Sequence, residues 1–275
     1  MLADYHVHSE FSDDSIYDME EVVKDAIDLG LDEICFTDHV DYGIKKDWSE
    51  GDIKWRNGEP IANVDYPKYY EKLKYVKEKY KDKITIKEGL EFGIQSHTID
   101  QFSKLYNSHP FDFIILSIHQ VRDLEFWTND FQKGRTQKEY NDEYYNELLN
   151  VVRNYKNYSV LGHLDLIQRY DPAGFYPFEK EKEVITEILK QVIKDGKGIE
   201  VNTSSHRYHL PDTQPSTPIL KLYKELGGTI ITIGSDSHKK EHLGAYIEDT
   251  KARLKELGFT QYCTFEKMKP IFHDL

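Results

Sequence analysis

The sequence predicts an α/β fold in which parallel strands close into a barrel, with helices between them. Three observations carry this. Strand-length runs of Val, Ile, Leu and Phe alternate with amphipathic segments of helical period along the whole chain. The number of strand–helix units in 275 residues favours a closed barrel over an open doubly wound sheet, and residues 1–275 show no linker, internal repeat or low-complexity stretch, so one domain is expected. Six clusters of His and carboxylate residues close or adjoin the apolar runs: Asp4-Tyr5-His6-Val7-His8, Phe36-Thr37-Asp38-His39, Gly89-Leu90-Glu91, Leu116-Ser117-Ile118-His119, Leu161-Gly162-His163-Leu164-Asp165 and Gly234-Ser235-Asp236-Ser237-His238. Barrels carry their chemistry at the carboxyl ends of the strands, and these clusters sit at those ends.

Residues 2–7 read as the first strand. Asp18 caps a helix that Gly30 ends, with Met19, Val22, Val23, Ala26 and Ile27 on one face. Ile34-Cys35-Phe36 is the second strand. Asp65 caps the next helix, Pro67 lies in its first turn, and Tyr69, Tyr70, Leu73 and Val76 face inward. A third strand runs from Ile84 to Leu90, a short helix spans about 98–107, and a fourth strand covers 111–118. A polar helix at about 136–155 precedes a strand at 158–162. Val184, Ile185, Ile188, Leu189, Val192 and Ile193 then repeat at helical spacing until Gly196. Gly198–Asn202 is the sixth strand, Thr217-Pro218 opens a helix, and Thr229 to Ile233 is the seventh strand. A last helix, about 242–257, leads to an extended tail. The stretch from Val40 to Asn63 has no clear period, and a segment of that length is expected to be a lid or rim of the site.

Composition bounds the function. A net charge of −13 argues against a nucleic-acid-binding face, which needs a basic surface. The 20 tyrosines imply many buried aromatics with a polar tip. Cys35 and Cys263 cannot build a disulfide framework, and Cys35, inside an apolar strand, reads as a core thiol in a reducing compartment. The N-terminus lacks the basic and apolar regions of a signal peptide, and no apolar run approaches membrane-spanning length. A cytoplasmic protein with no membrane partner is expected.

Imidazole and carboxylate are the donors that Zn, Mn and Fe take. In a strand, side chains alternate between faces, so His6 and His8 share one face, as do Asp236 and His238. His119 and His163 each follow an apolar run, and Glu91, as a carboxylate, can bridge two metals. Arg169 and Arg207 lie a few residues beyond strand ends and are the candidate anion-binding cations, with a surface or structural arginine as the alternative for each. His206 and His209 share the Arg207 loop, either assisting a leaving group or simply exposed. Asp38 precedes His39 and is expected to orient it or a bound water, and Asp165 is expected to do likewise after His163. His97, His109, His242 and His273 match no cluster. No Ser or Cys stands in a nucleophile motif, so metal-activated water is the nucleophile this set suits.

In order along essentially the whole chain, the segments DYHVHSEFSDDS at 4–15, FTDH at 36–39, GLEFG at 89–93, SIH at 117–119, GHLDLIQRY at 162–170, EVNTS at 200–204 and GSDSH at 234–238 resemble the PHP (polymerase and histidinol phosphatase) superfamily, specifically its stand-alone histidinol-phosphatase branch. The tail from Phe259 to Lys269-Pro270 resembles that branch as well. The resemblance implies a distorted seven-stranded (β/α)7 TIM-like barrel holding two to three divalent ions, Zn, Fe or Mn. It places one ion on His6, His8, Glu91 and Asp236, a second on Glu91, His119 and His163, and a third on Asp14, His39 and His238. Some members carry His where this chain has Asp14, and the adjacent Asp13 is the alternative ligand. Asp236, His238, Arg169 and Arg207 are then the candidate catalytic residues. The implied activity is hydrolysis of L-histidinol phosphate, a step of histidine biosynthesis. A nucleotide or other small phosphoester is the alternative substrate, and a non-catalytic polymerase-associated module the third reading.

Overall fold

The computed structural model describes residues 1–56 and 58–275, without the side chain of Glu59. Seven strands lie in sequence order and all pair in parallel: β1 (Ala3–Val7), β2 (Glu33–Phe36), β3 (Thr85–Gly93), β4 (Phe113–Ser117), β5 (Val160–Leu161), β6 (Gly198–Asn202) and β7 (Ile231–Gly234). Just past β7 the ring draws together. The Ser237 N–H donates to the His6 carbonyl at 3.1 Å, and the His8 N–H donates to the Ser237 carbonyl at 2.8 Å. A helix follows every strand: α1 (Met19–Asp28), α2 (Tyr66–Tyr80), α3 (Ile99–Ser108), α4 (Gln137–Asn154), α5 (Lys182–Lys194), α6 (Thr217–Glu225) and α7 (Ile247–Glu256). The result is the nearly closed (β/α)7 barrel that the alternation predicts.

Local chemistry sets the boundaries. The Asp18 carboxylate accepts the N–H groups of Glu20 and Glu21, satisfying donors that the first turn of α1 leaves free. Met19, Val22, Val23 and Ala26 are then buried against the barrel. β5 is two residues long rather than the expected five, and β7 starts at Ile231. α7 starts later than the apolar pattern suggests: Lys239–Tyr246 holds a separate turn at Lys240–His242, and Tyr246 has φ +60°, which no helix interior tolerates. The Val40–Asn63 stretch has structure of its own. The short strand His39–Val40 pairs with β3, Trp48–Glu50 forms a 3₁₀ turn, and Lys54–Arg56 pairs with Glu59–Ile61 as a hairpin.

The extended tail is an antiparallel hairpin, Gln261–Glu266 with Lys269–Asp274. It closes the amino-terminal end of the barrel. Cys263 and Phe265 pack with Ala3, Tyr5, Cys35, Phe113, Ile115 and Val160 in a small core of their own. The Phe265 N–H donates to the Tyr5 hydroxyl at 2.8 Å, and the Phe113 ring stands edge-on to Tyr5 with centroids 4.9 Å apart. With that end filled, the carboxyl end is the open one. Among the described residues no helix is long and apolar enough to cross a membrane.

Candidate metal centre

Glu91 follows Leu90 near the carboxyl end of β3 and is completely buried. Five imidazoles surround its carboxylate. Oε2 lies 3.1 Å from His6 Nε2, 3.6 Å from His8 Nε2 and 3.0 Å from His39 Nδ1. Oε1 lies 2.9 Å from His163 Nε2 and 3.1 Å from His119 Nε2. Asp236 approaches from β7: its Oδ1 is 3.5 Å from His8 Nε2 and 3.6 Å from both His6 Nε2 and His238 Nδ1. Asp14 Oδ2 sits at the rim, 3.2 Å from His238 Nε2 and 3.6 Å from His39 Nε2. All of the ligand residues that the sequence suggests therefore converge on one place. Asp13 turns the other way, to Lys45 Nζ at 2.5 Å, so Asp14 is the rim carboxylate in ligand position.

The donor set fits divalent ions. Four overlapping triads have ligand atoms within 4.8 Å of one another: His6–Glu91–His163, His6–His8–Asp236, His8–His39–His238 and His39–Asp41–His119. His8 Nε2 and His238 Nε2 are buried without a hydrogen-bond partner, a position that costs free energy unless a cation or donor fills it. The electrostatics agree. Burial pushes the Glu91 carboxyl up, but the charges of His6, His119 and His39 overcome it and hold it well below the usual range. Asp236 is likewise raised by burial, and more than compensated by His6, His8 and Arg169. Burial and the neighbouring His238 and His39 hold the His8 imidazole well below its ordinary value, which keeps it in the neutral form a metal takes.

A second layer of residues fixes the rings, and most of it was missed in the sequence. Glu200 Oε1 is 2.5 Å from His6 Nδ1, and its other oxygen accepts the His163 N–H at 2.9 Å. Asp41 Oδ1 is 2.7 Å from His119 Nδ1, while its Oδ2 is 2.8 Å from the buried Lys45 ammonium. Both contacts turn Nε2 toward Glu91. The Ser117 hydroxyl donates to Glu91 at 2.6 Å. The available signal was positional: Glu200 is a carboxylate between the apolar Ile199 and Val201 of its strand, and Asp41 follows His39 at strand spacing. Two glycines make room. A Cβ on Gly93 would strike the Asp41 carboxylate, and one on Gly234 would strike His6 and Glu200.

Several expectations need correction. Asp38 does not orient His39. It accepts from the Ser9 backbone at 2.7 Å and from the Ser12 hydroxyl at 2.7 Å, and Ser12 Oγ is 3.0 Å from His8 Nδ1, so Asp38 acts on His8 through Ser12. Asp165 turns away from His163 and accepts the Ser216 N–H at 2.9 Å. His206, stacked on Tyr246 at 4.2 Å, and His209 are both exposed, in keeping with the second of their two readings.

The two arginines differ. Arg169 is buried in the wall of a cavity of about 360 Å³ above the cluster, which Lys45, Arg56, Trp127, Tyr170 and Tyr208 also line. Its Nη2 donates to Ser204 Oγ at 2.5 Å and Gln214 Oε1 at 2.8 Å, its Nη1 is 3.4 Å from Asp236 Oδ2, and the guanidinium lies 4.2 Å over the Tyr208 ring. Arg207 does not line that cavity: Nη1 donates to the Ser235 carbonyl at 2.7 Å and Nη2 to the Asp236 carbonyl. Asp236 has φ +55°, so Arg207 braces the left-handed turn that aims this carboxylate. The thiols stay out of the site: burial pushes Cys35 well above its ordinary value and Cys263 up to about 11.

Known proteins are similar to this chain over most of its length. The sequence profile of the PHP domain matches residues 4–204. The histidinol-phosphatase of Lactococcus lactis is 34% identical over 271 residues, spanning 97% of this chain and 95% of that protein. A probable histidinol-phosphatase of Clostridium acetobutylicum is 30% identical over 285 residues, spanning 100% and 97%. The crystal structure of the Lactococcus lactis histidinol phosphate phosphatase, complexed with zinc, L-histidinol and phosphate, is similar with a TM-score of 0.82 and 32% identity over 98% of each chain. With the profile matched from β1 past β6 and relatives aligned over nearly its full length, the chain belongs to the PHP domain family.

Proposed function

We propose that this protein is a metal-dependent phosphomonoesterase that hydrolyses L-histidinol phosphate to L-histidinol and phosphate. The observation that carries the reading is the convergence of five imidazoles on the buried Glu91, beneath a cavity whose wall holds a fixed guanidinium. Its support from kinship is the Lactococcus lactis enzyme, similar over 98% of the chain, whose crystals hold zinc, L-histidinol and phosphate.

Two to three divalent ions would be held by His6, His8, Glu91 and Asp236, by Glu91, His119 and His163, and by Asp14, His39 and His238. Such ions lower the pKa of water to about 7 and polarise a phosphoryl oxygen. The chain's own residues supply the rest. Glu200, Asp41 and Ser12 hold the rings of His6, His119 and His8 in one tautomer and orientation. Arg169, stacked on Tyr208 and tied to Gln214, offers a planar cation to the phosphate without having to be ordered first. Most residues lining the cavity are polar or charged, and Trp127, Tyr170 and Tyr208 add aromatic faces suited to the flat imidazole of the substrate.

The test is phosphate release from histidinol phosphate, a nucleoside monophosphate and a simple aryl phosphate, with metal analysis of the same anaerobically purified sample. A preference in kcat/KM of at least tenfold for histidinol phosphate is expected. Equal or better turnover of the nucleotide would move the assignment to a nucleotide phosphoesterase.

A further inference from the structure

Among the described residues, four carboxylates line the cavity above the cluster: Asp13, Asp14, Asp41 and Asp236. Three of them are already engaged. Asp14 and Asp236 stand in ligand position beside imidazole nitrogens, and Arg169 lies 3.4 Å from Asp236 Oδ2. Asp41 holds His119 Nδ1 with one oxygen and Lys45 Nζ with the other. Arg56 is occupied as well, its Nη2 donating to Glu125 Oε2 at 2.8 Å and its Nη1 to Oε1 at 3.2 Å. That leaves Asp13. Its Oδ1 is 2.5 Å from the same Lys45 ammonium that Asp41 uses, so one cation serves two carboxylates. Its Oδ2 accepts no hydrogen bond and is not enclosed: the Asp13 side chain is 21% exposed, against 3% for Asp41.

We propose that Asp13 is the counter-ion of the substrate's ammonium, so that the cavity selects phosphate monoesters of amino alcohols. The proposal rests on the phosphatase reading. Three features support it. The Asp13–Lys45–Asp41 set carries one net negative charge, which favours a second cation at the open oxygen. Lys45, itself almost fully buried, holds the Asp13 carboxylate before a substrate arrives, so little ordering is left to the binding step. Asp13 also directly precedes Asp14, whose carboxylate reaches the cluster, so an accepting oxygen stands at the rim next to the metal ligands. In histidinol phosphate the ammonium sits on the carbon adjacent to the one that bears the phosphate. A phosphate held at the cluster therefore needs its ammonium partner at that rim, not deep among the histidines. The open oxygen accepts the ammonium N–H in a charge-assisted hydrogen bond, while Lys45 keeps the other oxygen.

The experiment compares kcat/KM of the full, metal-loaded chain for L-histidinol phosphate and for imidazolylpropyl phosphate, which keeps the ring and the ester but has no amine. A site built to hydrogen-bond a substrate N–H discriminates against an analogue that lacks it, and the wild type should prefer the amine at least tenfold. Asp13→Asn keeps the shape and loses the charge. It should bring the ratio of the two substrates to within about twofold, chiefly through KM, with bound metal unchanged. Asp13→Glu, which keeps the charge, should restore part of the preference. A carboxylate that merely held Lys45 would lower both substrates by one factor, so an unchanged ratio in Asp13→Asn would overturn the proposal. A wild type that does not distinguish the two esters, or loss of metal in Asp13→Asn, would overturn it too. Those outcomes leave the phosphatase reading standing. No turnover of either ester beside rapid turnover of a nucleoside monophosphate would instead remove that reading, and the proposal with it.

Discussion

The two ends of the barrel are buried alike and built on opposite terms. At the amino end the tail hairpin presses Phe265 onto Phe113 and Tyr5, and the polar atoms there find partners: the Tyr5 hydroxyl takes the Phe265 N–H and donates to Glu33. At the carboxyl end six imidazoles and two carboxylates crowd together around Glu91 and Asp236, and buried nitrogens of His8 and His238 have no hydrogen-bond partner. Burying unpaired polar groups opposes folding, whereas burying aromatic area favours it. The comparison teaches that the amino end stabilises the scaffold and the carboxyl end stores unmet donor capacity for a cation.

Breaking the carboxyl end should give the largest effect. Glu91→Ala removes the carboxylate that five imidazoles share, so bound metal and phosphatase activity should both fall by about 10³-fold or more, on the scale of shared ligands and metal catalysis. The circular dichroism spectrum should remain that of a folded α/β protein. Full activity in this variant would end the shared-centre reading. Chelation of the wild type should likewise lower its Tm, because an ion that binds only the folded chain stabilises it.

Breaking the amino end should act on stability instead. Phe265 is 2% exposed in a tightly packed cluster, and Phe265→Ala should destabilise by about 3–5 kcal/mol, read from urea unfolding. Activity per folded molecule at low temperature should be unchanged, since the site lies at the other end. A loss of kcat without a loss of stability would show that the two ends are not separable in this way.

Arg169 tests how far the prepared wall extends. Arg169→Ala should lose about 2–4 kcal/mol of transition-state stabilisation, or roughly 30- to 10³-fold in kcat/KM, with metal content unchanged. Lys should restore part of it, because it keeps the charge but lacks the planar fork that Gln214 and Ser204 hold. Arg207→Ala should act differently, by loosening the Asp236 turn and thus metal affinity.

The comparison also separates what could be read in the sequence from what could not. Strand–helix alternation was legible because apolar periodicity is local, and the ligands were legible because each closes or adjoins an apolar run. β5 was expected to run over 158–162, and Val160–Leu161 is the paired strand; hydrogen bonds from the Ser159 N–H to the Ile114 carbonyl at 2.8 Å and from the Gly162 N–H to the Leu116 carbonyl at 2.9 Å flank it, and the chain turns away at His163, where φ is +21°. The roles of Glu200, Asp41 and Lys45 depend on contacts between strands distant in sequence, such as Glu200 to His6, which no local pattern encodes. The plug at the amino end had the same cause: an extended tail was visible, but its docking against Tyr5 joins residues 260 positions apart.

The smallest effect concerns a buried carboxyl without the imidazoles that surround Glu91. Glu181, at the start of α5, is 5% exposed, its Oε1 has no partner, and burial together with the nearby Asp142 pushes its pKa up to about 7. Glu91 is buried as fully, yet its histidine neighbours drive it the other way. A carboxyl whose folded pKa is raised stabilises the fold in its protonated form. That contribution is complete below the unfolded value near 4.3 and is lost as pH rises through about 7, because the folded chain then holds the proton more tightly than the unfolded one. At pH 8 the ionised Glu181 should therefore destabilise by on the order of 2 kcal/mol. Glu181→Gln stays neutral and should raise Tm at pH 8 by about 4–8 °C while changing it little at pH 4. Tm measured against pH for the two proteins should diverge between about pH 5 and 8, with the wild type falling faster; parallel curves would mean that Lys138 already compensates this carboxylate.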